Sequence, residues 1–178
     1  YRVDSQAPTV SADKSSSDWS TSSIGGITLS YSDTSPGSGI QRSVYSWDTP
    51  ASSSFGNGFS SNSYKSIPSE GTHVLYLYVS DNAGHEATWS GTYKQDTGHP
   101  TVRADNSYTG WRNYEIGPFT PTVSDPIPGS GITWNISEYS WNGEPSSNLG
   151  ENSILEIPSD GENTLAILVF DNALNKST

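Results

Sequence analysis

The sequence contains no cysteine and no methionine, and positive charge is sparse: 8 Lys and Arg stand against 19 Asp and Glu. Without cysteine there is no disulfide framework of the kind that staples small secreted domains, so the core must hold by packing. A formal net charge of −11 argues against nucleic acid, whose phosphate backbone needs a cationic partner. It argues equally against an anionic membrane surface, and it suits solubility or a divalent cation. No apolar run approaches the roughly 20 residues of a membrane-spanning helix, so membrane insertion is not expected. No segment carries a 3.6-residue apolar period, and no signal peptide is evident, so the sequence reads as mature or excised.

What is present is a repeat. The stretch GTHVLYLYVSDNAGH, from Gly71 to His85, is a turn glycine, an alternating strand and an Asp-Asn-Ala-Gly turn. Side chains alternate faces along a strand, so Leu75, Leu77 and Val79 share one side and Tyr76 and Tyr78 the other. The design returns in GENTLAILVFDNALN, from Gly161 to Asn175, where Leu165, Ile167 and Val169 take the matching side. A face that stays aliphatic in both copies is the core face. At one constant offset Asp96 falls on Asp4, Pro100 on Pro8, Trp111 on Trp19 and Asp125 on Asp33; after loop insertions Trp141 falls on Trp47. The overlay makes residues 1–4 the tail of a preceding repeat and leaves the second copy truncated before its last strand.

Within the first copy, strands are predicted at Thr9–Ala12, Gly26–Ser32, Gln41–Trp47, Tyr64–Ile67, Thr72–Ser80 and Glu86–Tyr93, separated by SPGSG, PSEG and DNAG turns. Ile27, Leu29, Tyr31, Tyr45 and Trp47 should point inward. In the second copy Pro121 stands opposite Leu29, which predicts an edge or a bulge there. Short strands at regular spacing with a tryptophan on the third give the expected fold class: all-β, two tandem immunoglobulin-like β-sandwich domains, residues 1–95 and 96–178.

The order VDSQAPTVS, Trp19, SYSDTSPGSGI, YSWD, SEGTHVLYLYVSDNAGH and GTYKQD resembles bacterial extracellular Ig-like repeats of the "VDxxAP…D…SGI…YSWD…DNAGN" type. The resemblance spans nearly the whole chain in both copies. It departs at His85, where the pattern has Asn, and at Leu174, where it has Gly. Such repeats occur in tandem on surface proteins, which implies an extracellular or cell-surface location.

Three kinds of site are candidates. In a sandwich of this class the start of the first strand and the loops after the second and fifth strands share one pole. That gathers Asp4, Asp33 and Asp81 in one copy and Asp96, Asp125 and Asp171 in the other. Their oxygens suit a Ca²⁺ site; the competing reading is that each closes an Asx turn by accepting backbone N–H groups. Tyr76, Tyr78 and Trp89 are candidates for a platform that stacks a sugar, against the reading of a sheet face whose tyrosines lie over aliphatic neighbours. The sequons Asn135-Ile136-Ser137 and Asn175-Lys176-Ser177 are glycosylation acceptors where the host glycosylates. No G-x-S-x-G, P-loop or H-E-x-x-H pattern appears, and His73, His85 and His99 do not recur between copies. The chain is therefore expected to be no enzyme. It reads as spacer modules of a stalk, adhesin or surface-layer array, stiffened at the short connection Lys94–Pro100. Its partners are then neighbouring repeats of the same chain and protein or glycan ligands at a surface. The alternative is a carbohydrate-binding accessory module of a secreted enzyme.

Overall fold

The computed structural model describes residues 1–34, 36–104 and 110–178. The chain divides into two compact units, Tyr1–Gln95 and Asp96–Thr178. In the first, the strands are β1 (Thr9–Ala12), β2 (Ile27–Ser32), β3 (Ile40–Trp47), β4 (Asn57–Gly58), β5 (Ser63–Lys65), β6 (Gly71–Asp81) and β7 (Glu86–Gln95). They form a three-stranded sheet, β1-β2-β5, and a four-stranded sheet, β4-β3-β6-β7, with every neighbouring pair antiparallel. This is the two-sheet order of an immunoglobulin-like sandwich.

The core between the sheets follows from period-2 alternation. β2 contributes Ile27 and Leu29, β6 contributes Leu75, Leu77 and Val79, and Phe59 and Tyr93 complete the buried set. Truncating one such leucine to alanine would cost about 2–5 kcal/mol. Tyr31, Tyr45, Trp47 and Trp89 pack on this core while only partly buried. Trp47 and Trp141 are both half-buried rather than fully interior.

The N-terminal segment leaves one sheet and joins the other. After β1 it meets the far edge of β7: Ser16 N donates to Thr92 O and Ser20 N to Lys94 O, both at 3.0 Å. There Ser20 and Gln95 run parallel. Gly91 permits this approach, since a Cβ on it would stand 2.8 Å from Ser15 Cβ.

The second unit repeats the plan with shorter strands: β8 (Thr101–Arg103), β9 (Thr122–Ser124), a 3₁₀ turn at Trp134–Ile136, β10 (Glu138–Trp141), β11 (Ser147–Asn148), β12 (Leu165–Phe170) and β13 (Lys176–Ser177). Sheets β8-β9 and β11-β10-β12-β13 enclose Leu149, Ile167 and Val169. β9 has 3 residues where β2 has 6. It begins after Pro121, which has no N–H to give to a ladder.

Candidate functional site

Each unit has a pole where aspartates meet. In the second, Asp96, Asp125 and Asp171 bring carboxylate oxygens within 4.8 Å of one another. Asp171 sits at the end of β12, wholly buried, and Asp96 is nearly so. The chain provides N–H donors for most of this charge. Asp96 accepts from Gly98 N at 3.0 Å and Ser130 N at 2.7 Å, and Asp125 Oδ2 accepts from Gly131 N at 2.6 Å. Asp171 accepts from the backbone and side-chain nitrogens of Asn175 at 2.8 and 2.9 Å. The turn after β12 is tied to the SGI loop as well, through Asn172 Nδ2 to Ser130 O (2.7 Å) and Ala173 N to Ser130 Oγ (2.9 Å).

The first unit repeats the same contacts residue by residue. Asp4 accepts from Gln6 N and Ser38 N, Asp33 Oδ2 from Gly39 N, and Asp81 Oδ1 from Ala83 N and His85 N. Asn82 Nδ2 reaches Ser38 O and Ala83 N reaches Ser38 Oγ. The loops fold this way because small residues allow it. A Cβ on Gly37 would stand 2.5 Å from Asp33 Oδ2, and one on Gly129 would stand 2.5 Å from Asp125 Oδ2.

One correction concerns the first cluster. The groups that converge there are Asp4, Asp81 and His85, not Asp4, Asp33 and Asp81. The His85 ring brings Nδ1 to 2.8 Å from Asp81 Oδ2, and Asp33 stands outside the converging set although it accepts from Gly39 N as Asp125 does from Gly131 N. In the second unit Asn175 takes the histidine's place, also donating to Asp171. Asn175 is 7% exposed and its Nδ2 is held by Asp96 O and Asp171, so this sequon asparagine is not free for a glycan.

Electrostatics separates the two poles. The Gln6 N–H, then Ser38, holds the Asp4 carboxyl below its ordinary value. Burial pushes Asp81 up, but the His85 ring and the N–H groups of His85 and Ala83 outweigh it and leave it lowered. Asp125 goes the other way: burial raises it, and the charges of Asp96 and Asp171 add to that against the Gly131 N–H. Its Oδ1 is shielded from solvent and has no hydrogen-bond partner among the described residues, and Asp33 Oδ1 is in the same position. Asp96, Asp125 and Asp171 are thus the set that would hold a divalent cation. Their all-oxygen donors suit Ca²⁺, and Asp125 Oδ1 is the uncommitted ligand. The first pole mixes an imidazole with carboxylates, a poorer match to a hard cation.

The aromatic platform is also corrected. In the β6–β7 ladder Leu77 faces Trp89, whereas Tyr76 faces Ser90 and Tyr78 faces Thr88. Trp89 therefore lies on the core side and packs there, on the opposite face from the tyrosines. Tyr78 is 4% exposed, covered with Val44 by Ala51 from the loop after β3, and its hydroxyl donates to Glu86 Oε1 at 2.5 Å. Tyr76, Tyr78 and Trp89 present no common surface.

A third constellation was not among the sequence candidates. Asp48 Oδ2 lies 2.8 Å from His73 Nδ1, and His73 Nε2 lies 3.0 Å from Ser69 Oγ. Asp48 follows β3 at φ 59°, and its Oδ1 accepts from Val74 N at 2.8 Å. Burial raises the Asp48 carboxyl, but the His73 and Val74 hydrogen bonds prevail and lower it.

No protein-family model and no curated protein matches the chain. Among solved structures it is similar to the fibronectin(III)-like modules of CbhA from Clostridium thermocellum. The identity is 15%, covering 96% of this chain and 90% of that one, with a TM-score of 0.36. Strand order and register, not this likeness, define the fold.

Proposed function

We propose that the chain is a pair of structural modules, spacers in a longer extracellular surface protein such as a stalk, adhesin or surface-layer array. The observation that carries this reading is the repetition of the carboxylate latches. Asp4, Asp33 and Asp81 fasten the same loops by the same N–H groups as Asp96, Asp125 and Asp171 do. Contacts that recur where sequence, strand length and pole charge differ maintain shape, which is what a spacer supplies. The resemblance to surface-exposed Ig-like repeats supports the same location and the same partners, neighbouring repeats of one chain. A carbohydrate-binding role is less favoured because Tyr76, Tyr78 and Trp89 do not share a face.

Single-molecule stretching tests the spacer reading: two separate unfolding events are expected from this chain. Glycan binding on an array that is lost on Tyr76→Ala would overturn it in favour of the carbohydrate module. A second reading, resting on the unpartnered Asp125 Oδ1, is that Ca²⁺ occupies the Asp96, Asp125 and Asp171 pole. A melting temperature identical in calcium and in EDTA sinks that reading and leaves the spacer reading untouched.

A further inference from the structure

The hydrogen-bond chain Ser69–His73–Asp48 fixes a protonation pattern. Asp48 Oδ2 and an unprotonated His73 Nδ1 would be two acceptors 2.8 Å apart, so in the neutral ring Nδ1 carries the proton and donates to Asp48. Nε2 then presents a lone pair. Ser69 Oγ stands 3.0 Å from it and equally 3.0 Å from Glu70 O, and its single proton can go to the imidazole. Nucleophile, base and orienting acid are therefore in the order that activates a serine hydroxyl.

The second unit carries a comparison within the same chain. Asn142 has φ 58°, matching Asp48, and accepts from Thr164 N at 2.8 Å as Asp48 accepts from Val74 N. Its Nδ2 donates to Asn163 at 3.0 Å, and Asn163 Nδ2 reaches Ser159 O at 2.8 Å. The fold is thus satisfied at this pole by two asparagines. The imidazole and carboxylate of the first unit are not required for the latch, and only they can move a proton. Ser69 is exposed while His73 is half-buried under Trp47, whose ring lies 6.1 Å away.

We propose that Ser69 is an activated nucleophile, a site of acylation by small activated esters, in addition to the spacer role. In the step, Ser69 Oγ bonds to the ester carbonyl carbon and its proton passes to His73 Nε2. The ester C–O bond breaks, and the leaving oxygen takes that proton. Asp48 positions the ring and stabilises the imidazolium. Water then gives a proton to His73 Nε2 as its oxygen bonds to the acyl carbon. The Oγ–C bond breaks, the carboxylic acid leaves, and Ser69 Oγ takes the proton back from His73.

The test uses a fluorophosphonate probe on the whole chain, read by intact mass and peptide mapping. Here Oγ–P forms, P–F breaks, and fluoride leaves as the proton goes to His73. Ser159 follows Ile157-Pro158 as Ser69 follows Ile67-Pro68 and is its counterpart. Labelling of Ser69 at least about 10²-fold faster than Ser159 is expected, the scale of general-base assistance. Asp48→Asn with His73→Asn installs the second unit's latch in the first. This double variant should keep its near-ultraviolet circular dichroism and lose the enhancement, as should Ser69→Ala. Equal labelling of Ser69 and Ser159, no adduct at all, or an enhancement that survives in the folded double variant overturns the proposal. The comparison of the two serines needs no variant, so a mutant that fails to fold does not rescue it.

Discussion

Tyr93 stands edge-on to Trp47, ring centroids 5.6 Å apart and planes 75° apart, while its hydroxyl donates to the Asp13 carbonyl at 2.6 Å. One side chain thus binds the last strand of the first unit to the backbone just beyond β1. Burial, reinforced by the Asp13 charge, keeps the phenol protonated well beyond its ordinary range. Tyr93→Phe should cost about 1–3 kcal/mol by orphaning that carbonyl. Tyr93→Ala should cost about 3–5 kcal/mol by opening a cavity beside Trp47. Urea denaturation followed by tryptophan fluorescence reads both. A Tyr93→Phe variant as stable as the parent would show that the carbonyl finds another donor.

Asp125 faces two like charges and has an unpartnered Oδ1. Asp125→Asn keeps an acceptor for Gly131 N and turns a donor toward Asp96 and Asp171. In EDTA this variant should gain about 1 kcal/mol, the scale of satisfying one buried polar oxygen. It should also lose any stabilisation by calcium. Calorimetry in EDTA and in Ca²⁺ checks both halves, and a large destabilisation in EDTA would mean that the charge itself holds the turn.

Acid should affect the two units in opposite directions. The raised Asp125 holds its proton more tightly folded than unfolded, so the second unit gains stability as pH falls from that raised value toward the ordinary ~3.9. The lowered carboxyls of Asp4, Asp48 and Asp81 contribute fully above that ordinary value. Their contribution is lost only as pH falls through their folded values below it. Residue-resolved hydrogen exchange across this range should show protection rising in β12 before it falls in β6. Parallel loss in both strands would contradict the assignment.

Leu174 occupies φ 71° where Gly84 has φ 94°, in turns closed alike by Leu174 N to Asp171 O and Gly84 N to Asp81 O. The left-handed conformation costs a leucine about 1–2 kcal/mol relative to glycine, and at 62% exposure its side chain returns little packing. Leu174→Gly should therefore stabilise the second unit by about 0.5–1 kcal/mol, the rest being lost to the freer unfolded chain. Thermal melts read the change, and a lower melting temperature would show that Leu174 packs more than its exposure implies.

Alternation was enough to read Ile27 and Leu29 as core, and alternation with the repeat to read Leu75, Leu77 and Val79. A strand's period separates its faces without knowledge of its partners, and the face that stays aliphatic in both copies is the inner one. Trp89 and Tyr78 needed more. The face of Trp89 depends on its register with Leu77, and Tyr78 is buried by Ala51 from a loop that has no period. The aspartate pole was legible because it repeats. Recurrence hid Asp48, Ser69 and His73 for the same reason, since the second copy has Asn142 and Asn163 for two of them. A side-by-side comparison of polar pairs that change together, Asp48 with His73 against Asn142 with Asn163, is the signal that could have found them.

The parallel run of Ser16–Ser20 along Thr92–Gln95 sets an early segment of the first unit beside its last strand, both pointing the same way, so the chain enters and leaves this run at opposite ends. A pull on those ends acts along the strands, so it loads the Ser16–Thr92 and Ser20–Lys94 bonds together in shear. An antiparallel hairpin pulled open at its ends breaks its bonds one at a time, each at low force. Here β1 can peel from β2 first, but the path from Ser16 to Gln95 cannot lengthen until the two bonds fail together. Resistance to tension in this unit is therefore set by a few backbone bonds at its margin rather than by the hydrophobic interior.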